Sequence, residues 1–160
     1  MQFKSIIAAI DLDDDLAEGV VRAAESLATK DATKLQIVSV WPTLSSASPG
    51  FSPEMGASSA IVTEALMEQH KEGRADSKRQ LEALASTLAP SASAVILDGD
   101  AADAVSHYAK KQGADLIVTG SHQRRFWSSL FQGSPSMELI RESPCAVFLV
   151  TKAFAGTLKS

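Results

Sequence analysis

Ile6-Ile7-Ala8-Ala9-Ile10 is apolar at every position, and a strand with no polar side must be covered by other elements on both of its faces. The first strand is therefore read from Phe3 to Asp11, buried in the middle of a sheet. Further short runs rich in β-branched and apolar residues follow at Leu35 to Val40, Ala94 to Leu97, Leu116 to Thr119 and Ala146 to Val150. Each is far shorter than the roughly 20 apolar residues needed to span a bilayer.

Between these runs the apolar residues recur at helical spacing. Leu16, Val20, Ala24, Leu27 and Ala28 predict a helix over about 16 to 30. Ile61, Ala65, Leu81, Leu84, Ala85 and Leu88 predict another over about 60 to 88, with Gly73 as a weak point in its middle and Pro90 closing it. Ala101, Ala104, Val105, Tyr108 and Ala109 mark a third that ends near Gly113, and a short one is expected from Ser136 to Glu142, before Pro144. Residues 43 to 59 are rich in Ser, Pro, Gly and Ala and read as a surface loop, long enough to suggest a functional role.

Strand and helix alternate throughout, so the expected fold is α/β: a three-layer α/β/α sandwich around a five-stranded parallel sheet, Rossmann-like in plan. At 160 residues and 45% hydrophobic content the chain fits one domain, placed at 1–152 with a tail at 153–160. Ligands of such sheets bind outside the carboxyl ends of the strands. Asp11, Val40-Trp41, Gly99 and Gly120 all fall at those ends and line one crevice in this reading.

The net charge of −4 argues against nonspecific nucleic-acid binding, which needs a basic surface. Lys78-Arg79 reads as part of a solvated helix face. Met1-Gln2-Phe3-Lys4 leads directly into a strand, with no signal-peptide pattern, and the single cysteine, Cys145, has no internal disulfide partner. The expectation is a cytoplasmic protein, with Cys145 as a thiol buried at the start of the last strand.

Gly120-Ser121-His122-Gln123 begins where the fourth strand ends, and Gly133-Ser134 follows after nine residues counted from Gln123. Glycines without a Cβ, flanked by the hydroxyls of Ser121, Ser134 and Ser136, suit an anion cradle built from backbone N–H groups. Arg124-Arg125 lies within that loop. Gln123 stands where such a cradle would carry another glycine.

Asp11 has two readings of equal weight, a ligand contact or a cap for its own loop. Asp13-Asp14-Asp15 is read as negative charge at the positive end of a helix. His70 and His107 are assigned surface or packing roles, whereas His122 lies in the glycine loop. Neither a Ser/His/Asp nor a Cys/His arrangement is suggested, and no base for hydrolysis is evident, so an enzyme is not expected.

Three patterns together resemble the universal stress protein family over residues 2 to 151. They are Ile6-Ile7-Ala8-Ala9-Ile10-Asp11, Gly113-Ala114-Asp115-Leu116-Ile117-Val118-Thr119-Gly120 and Ser143-Pro144-Cys145-Ala146-Val147. The resemblance implies an adenine nucleotide alpha hydrolase-like fold that binds ATP, with Mg2+ held by the phosphates and water. It implies Asp11 at the ribose, the backbone of Val38 to Val40 at the adenine and Gly99 beside the sugar. Gly120, Ser121, His122, Gln123, Gly133 and Ser134 would meet the phosphates.

It further implies a homodimer formed through the last strand, Ala146 to Val150. The family also contains members resembling universal stress protein A, which lack the full glycine motif and are not expected to hold ATP. His122-Gln123 with Phe126-Trp127-Ser128 looks like that branch, whereas Gly133-Ser134 fits the ATP-binding one. Three functions follow: a noncatalytic regulatory or protective nucleotide binder, a nucleotide-free module acting through protein contacts, and a slow ATP hydrolase.

Overall fold

In the computed structural model, residues 2–29, 32–44, 58–121 and 143–158 are described. The chain runs β1 (Ser5–Ala9), α1 (Ala17–Leu27), β2 (Lys34–Trp41), α2 (Ser58–Leu88), β3 (Ser93–Asp98), α3 (Ala101–Gln112), β4 (Leu116–Gly120), β5 (Ala146–Val150) and α4 (Lys152–Thr157). The five strands form one parallel sheet in the order β3-β2-β1-β4-β5.

Side chains of successive strand residues point to opposite faces, and this alternation divides the core in two. Ile6, Ala8 and Ile10, with Leu35, Ile37, Leu116, Val118 and Val150, pack under α1, α2 and α4. Ile7, Ala9, Val38 and Ile117 pack under α3, against Val105 and Ala109. Both faces of β1 are thus covered, which is why its sequence has no polar alternation.

Local chemistry sets the helix ends. Asp100 accepts from the N–H groups of Ala102 and Asp103 and caps α3, while Gly113 ends it in the left-handed region at φ 61°. Asp115 ties two strands together: its Oδ2 accepts from the backbone N–H of Lys4 at 2.7 Å and of Ser5 at 3.0 Å. Cys145, expected to be buried, is only half-buried because β5 is an exposed edge strand; its thiol packs against the α3-side core, and this partial burial pushes its pKa up, against a weaker lowering by Ser143. That agrees with an unreactive thiol.

The structure departs from the sequence reading at its end. Residues 153–160 were expected to be a tail, yet α4 begins at Lys152; Thr151 caps it by accepting from the Phe154 N–H, and Ala155 is buried. Ala155 fits because α1 presents Gly19 there: a Cβ on Gly19 would lie 2.7 Å from the Ala155 Cβ. The expected loop over 43 to 59 lies mostly, and the short helix over 136 to 142 wholly, outside the described residues.

Candidate functional site

The strand order changes direction between β1 and β4: the chain moves outward through β2 and β3, then returns to β4 and β5. The carboxyl ends of β1 and β4 therefore flank the switch point, where open α/β sheets place their ligands. Asp11 follows β1, and Gly120-Ser121 closes β4.

A cleft of about 170 Å³ opens on the β1–β2–β3 side of that point. Asp11, Leu12 and Asp13 form its lip. Ser39, Val40 and Trp41 of β2 and Ile96 of β3 form its floor, and Gly73, Asp76, Ser77 and Gln80 of α2 form the facing wall. The four α2 positions are spaced by three and four residues, which puts them on one helix face.

Asp11 is half-buried, and its Oδ1 accepts from the Asp13 N–H at 3.1 Å. The carboxylate thus caps its own loop while lining the cleft. Asp14 accepts from the Leu16 N–H at 2.8 Å, and Asp15 pairs with Lys152 at 2.9 Å. Asp14 and Asp15 are therefore engaged at the entry to α1 and its neighbour α4.

Val40 borders the cleft although its side chain packs on the α3 side, as does the fully buried Val38, whose carbonyl already accepts from the Ile10 N–H at 2.9 Å. Gly99 adopts φ 127°, a conformation that favours glycine, with its N–H donating to the Trp41 carbonyl at 3.1 Å. A Cβ there would meet nothing within 4 Å, so the main chain at Gly99 faces open space.

Gly120 is the last residue of β4, in register with Val150, and the Ser121 N–H donates to the Val150 carbonyl at 2.9 Å. Among the described glycines, positive φ occurs at Gly99 and Gly113 rather than at Gly120, because strand pairing holds Gly120 extended. His122, Gln123, Gly133 and Ser134 lie outside the described residues.

The wall contributed by α2 was not legible as a site. Gly73, read from sequence as a weak point, is a close approach: a Cβ on it would lie 2.8 Å from Cη2 of Trp41. The Trp41 indole N–H in turn donates to His70, 2.9 Å from Nε2, with the two rings tilted at 53°. One turn on, Arg74 grips Asp98 at the end of β3 through two parallel bonds of 2.7 Å. The hydrogen bonds from Arg74 hold the Asp98 carboxyl below its ordinary value, and the same bonds raise Arg74.

Among the described residues no cluster of three or more His, Cys, Asp or Glu side chains is placed to hold a metal ion. No described helix is long and apolar enough to cross a membrane. The cleft has three carboxylates, two hydroxyls and one carboxamide, with no Lys, Arg or His among its lining residues. It suits a neutral group bearing hydrogen-bond donors better than an anion.

Fold and cleft together define a doubly wound parallel α/β domain with a small cleft at its strand ends. The universal stress protein family model matches residues 2–151, and the chain belongs to that family. A curated relative from Thermus aquaticus, the universal stress protein in QAH/OAS sulfhydrylase 3'region, is 41% identical over 73 residues, or 46% of this chain and 53% of the relative. The match thus spans about half of that relative's length.

Among solved structures, hypothetical protein MJ0577 superposes with a TM-score of 0.68 at 19% identity, covering 95% of this chain and 98% of that one. A universal stress protein in complex with cAMP gives 0.60 at 17% identity, covering 94% and 98%. The universal stress protein from Archaeoglobus fulgidus in complex with dAMP gives 0.53 at 19% identity, covering 93% and 98%.

Proposed function

We propose that this chain is a noncatalytic regulatory or protective module that binds an adenine nucleotide, ATP with its Mg2+, at the carboxyl ends of β1, β2 and β4. The observation that carries the reading is the cleft beside the switch point, with Asp11 at its lip and an acceptor-rich, cation-free lining. Two structural neighbours with the same fold are complexes with cAMP and dAMP, which supports an adenine ligand.

At about 170 Å³ the cleft is smaller than the roughly 300 Å³ at which pockets for whole drug-sized ligands begin. It matches the base and part of the sugar. The Asp11 carboxylate, an acceptor at the lip, suits the ribose hydroxyls. The phosphates then extend across the switch point to Gly120-Ser121 and the segment carrying His122, Gln123, Gly133 and Ser134, where backbone donors and the Mg2+ brought by the nucleotide would balance their charge.

The homodimer belongs to the same proposal. β5 is an edge strand that exposes Val147 and Leu149, at 37% and 47%, and an apolar edge of this kind invites pairing with a second copy.

Isothermal titration of nucleotide-stripped protein with magnesium ATP tests the reading, with Gly133→Trp as the site control. Saturable binding that the variant loses is the expected result. No heat and no thermal stabilisation at millimolar ATP would move the chain to a nucleotide-free role through protein contacts, the reading favoured by Gln123 at a glycine position.

A further inference from the structure

Trp41 is fixed to α2 at two points on one helix face. Its six-membered ring lies against Gly73, where a Cβ would stand 2.8 Å from Cη2 and 3.0 Å from Cζ2. Its indole N–H points at the ring of His70, one turn earlier, 2.9 Å from Nε2 and 3.2 Å from Nδ1. Both side chains are half-buried, and Trp41 is part of the cleft floor. The contact with His70 therefore helps to set where that floor stands relative to the α2 wall.

An indole N–H only donates, and an imidazole offers it an acceptor only while neutral. Protonation places a hydrogen on both ring nitrogens, so that donor faces donor and a part-buried N–H loses its partner. Histidine is the side chain that ordinarily changes charge between about pH 5 and 8.

Among the described residues, the charged groups around His70 come from several elements. β2 brings the uncharged Trp41, and β3 brings Asp98 at its end. α2 itself adds Arg74, one turn on, which holds Asp98 through two bonds of 2.7 Å, and the exposed Lys71 and Glu72. Across the cleft the loop after β1 carries Asp11 and Asp13, and α1 faces α2 farther along, at Gln80 and Leu84, where it presents Glu18. The Asp98 carboxyl is held low mainly by the hydrogen bonds from Arg74, against burial, and the positive charge of a protonated His70 lowers it further. A charged His70 thus has an acceptor within reach of its field on the side away from the indole.

We propose that His70 is a proton-operated latch on the cleft floor: neutral, it holds the Trp41 indole N–H; protonated, it releases the indole and turns toward Asp98. Whatever the cleft holds against Trp41 is thereby linked to proton uptake at His70. The latch does not depend on the nucleotide reading.

The indole cross-peak of Trp41 in the 1H–15N spectrum of the ligand-free protein reads the latch directly, and Trp41→Phe separates it from that of the second tryptophan, Trp127. Between about pH 8 and pH 5 the cross-peak is expected to move upfield as its hydrogen bond is lost, with the same midpoint as the ring protons of His70. In His70→Gln, whose carboxamide oxygen still accepts but does not titrate, it stays in place over that range. Asp98→Asn removes the partner of the charged form and lowers the midpoint. Arg74→Gln removes a repelling cation and frees Asp98, and raises it.

A Trp41 cross-peak that does not move, that follows a midpoint other than that of His70, or that moves as far in His70→Gln would overturn the latch. Midpoints that shift in the same direction in the Asp98 and Arg74 variants would overturn it as well. The comparison of the Trp41 and His70 midpoints uses the wild-type protein alone, so it decides the matter even where a variant folds poorly.

Discussion

A Cβ placed on Gly73 would stand 2.8 Å from Cη2 of Trp41, closer than such carbons approach. The contact links the middle of α2 to the end of β2, and it decides how near the helix wall comes to the cleft floor. In an exposed helix interior Gly→Ala stabilises by up to about 1 kcal/mol. Here Gly73→Ala must displace an indole that also donates to His70, so a net loss of about 1–3 kcal/mol is expected, as for other overpacked contacts. Urea unfolding measures it, and a shift in near-ultraviolet circular dichroism would report the displaced Trp41.

The same substitution should have opposite signs at Gly19 and Gly156. Gly19→Ala drives a methyl to 2.7 Å from the Ala155 Cβ and is expected to destabilise by about 1–3 kcal/mol as α1 and α4 separate. Gly156→Ala, within α4, meets nothing within 4 Å and is expected to stabilise by about 0.5–1 kcal/mol. Paired denaturation curves of the two variants check both signs at once.

The Arg74–Asp98 fork predicts a pH dependence. Its two hydrogen bonds hold the Asp98 carboxyl below its unfolded value, so the stabilisation is fully present above that unfolded value, near pH 4. It is lost as pH falls further, through the depressed folded value. Both side chains are more than a third exposed, so solvent limits the contribution to about 0.2–1 kcal/mol. Asp98→Asn should lower stability by that amount at pH 7, and the difference should vanish in strong acid. An equal loss at every pH would show that the contribution is packing rather than charge.

Leu149→Lys tests the proposed dimer. Leu149 is 47% exposed on edge strand β5, and a like charge on both copies would oppose pairing there. Light scattering is expected to give twice the 16.9 kDa chain mass for the wild type and the single-chain mass for the variant. A wild-type mass of one chain would contradict the dimer.

The period of the apolar residues made most of the framework legible. Ala146–Val150 and the start of the helix at Ala101 were read at their observed bounds, because an apolar run just after a proline and a capped amphipathic helix are local signals. α4 was not legible, because its six residues form a helix through the Thr151 cap and through burial of Ala155 against Gly19, which lies far away in sequence.

The candidate site divides in the same way. Asp11, Val40 and Gly99 could be placed from strand ends alone. The Gly73, Asp76, Ser77 and Gln80 wall could not, because it depends on how α2 packs across β2 and β3. The one local signal was a glycine inside a helix otherwise made of good formers, whose cost there calls for a packing reason.

The most direct test of a nucleotide at the strand ends is the 1H–15N correlation spectrum of the labelled protein during titration with magnesium ATP. The account predicts saturable shifts at Asp11 to Asp13, Ser39 to Trp41, Gly73 to Gln80, Gly99 and Gly120-Ser121, with the outer face of α3 silent. No shifts up to millimolar ATP, or shifts concentrated on α3, would contradict it.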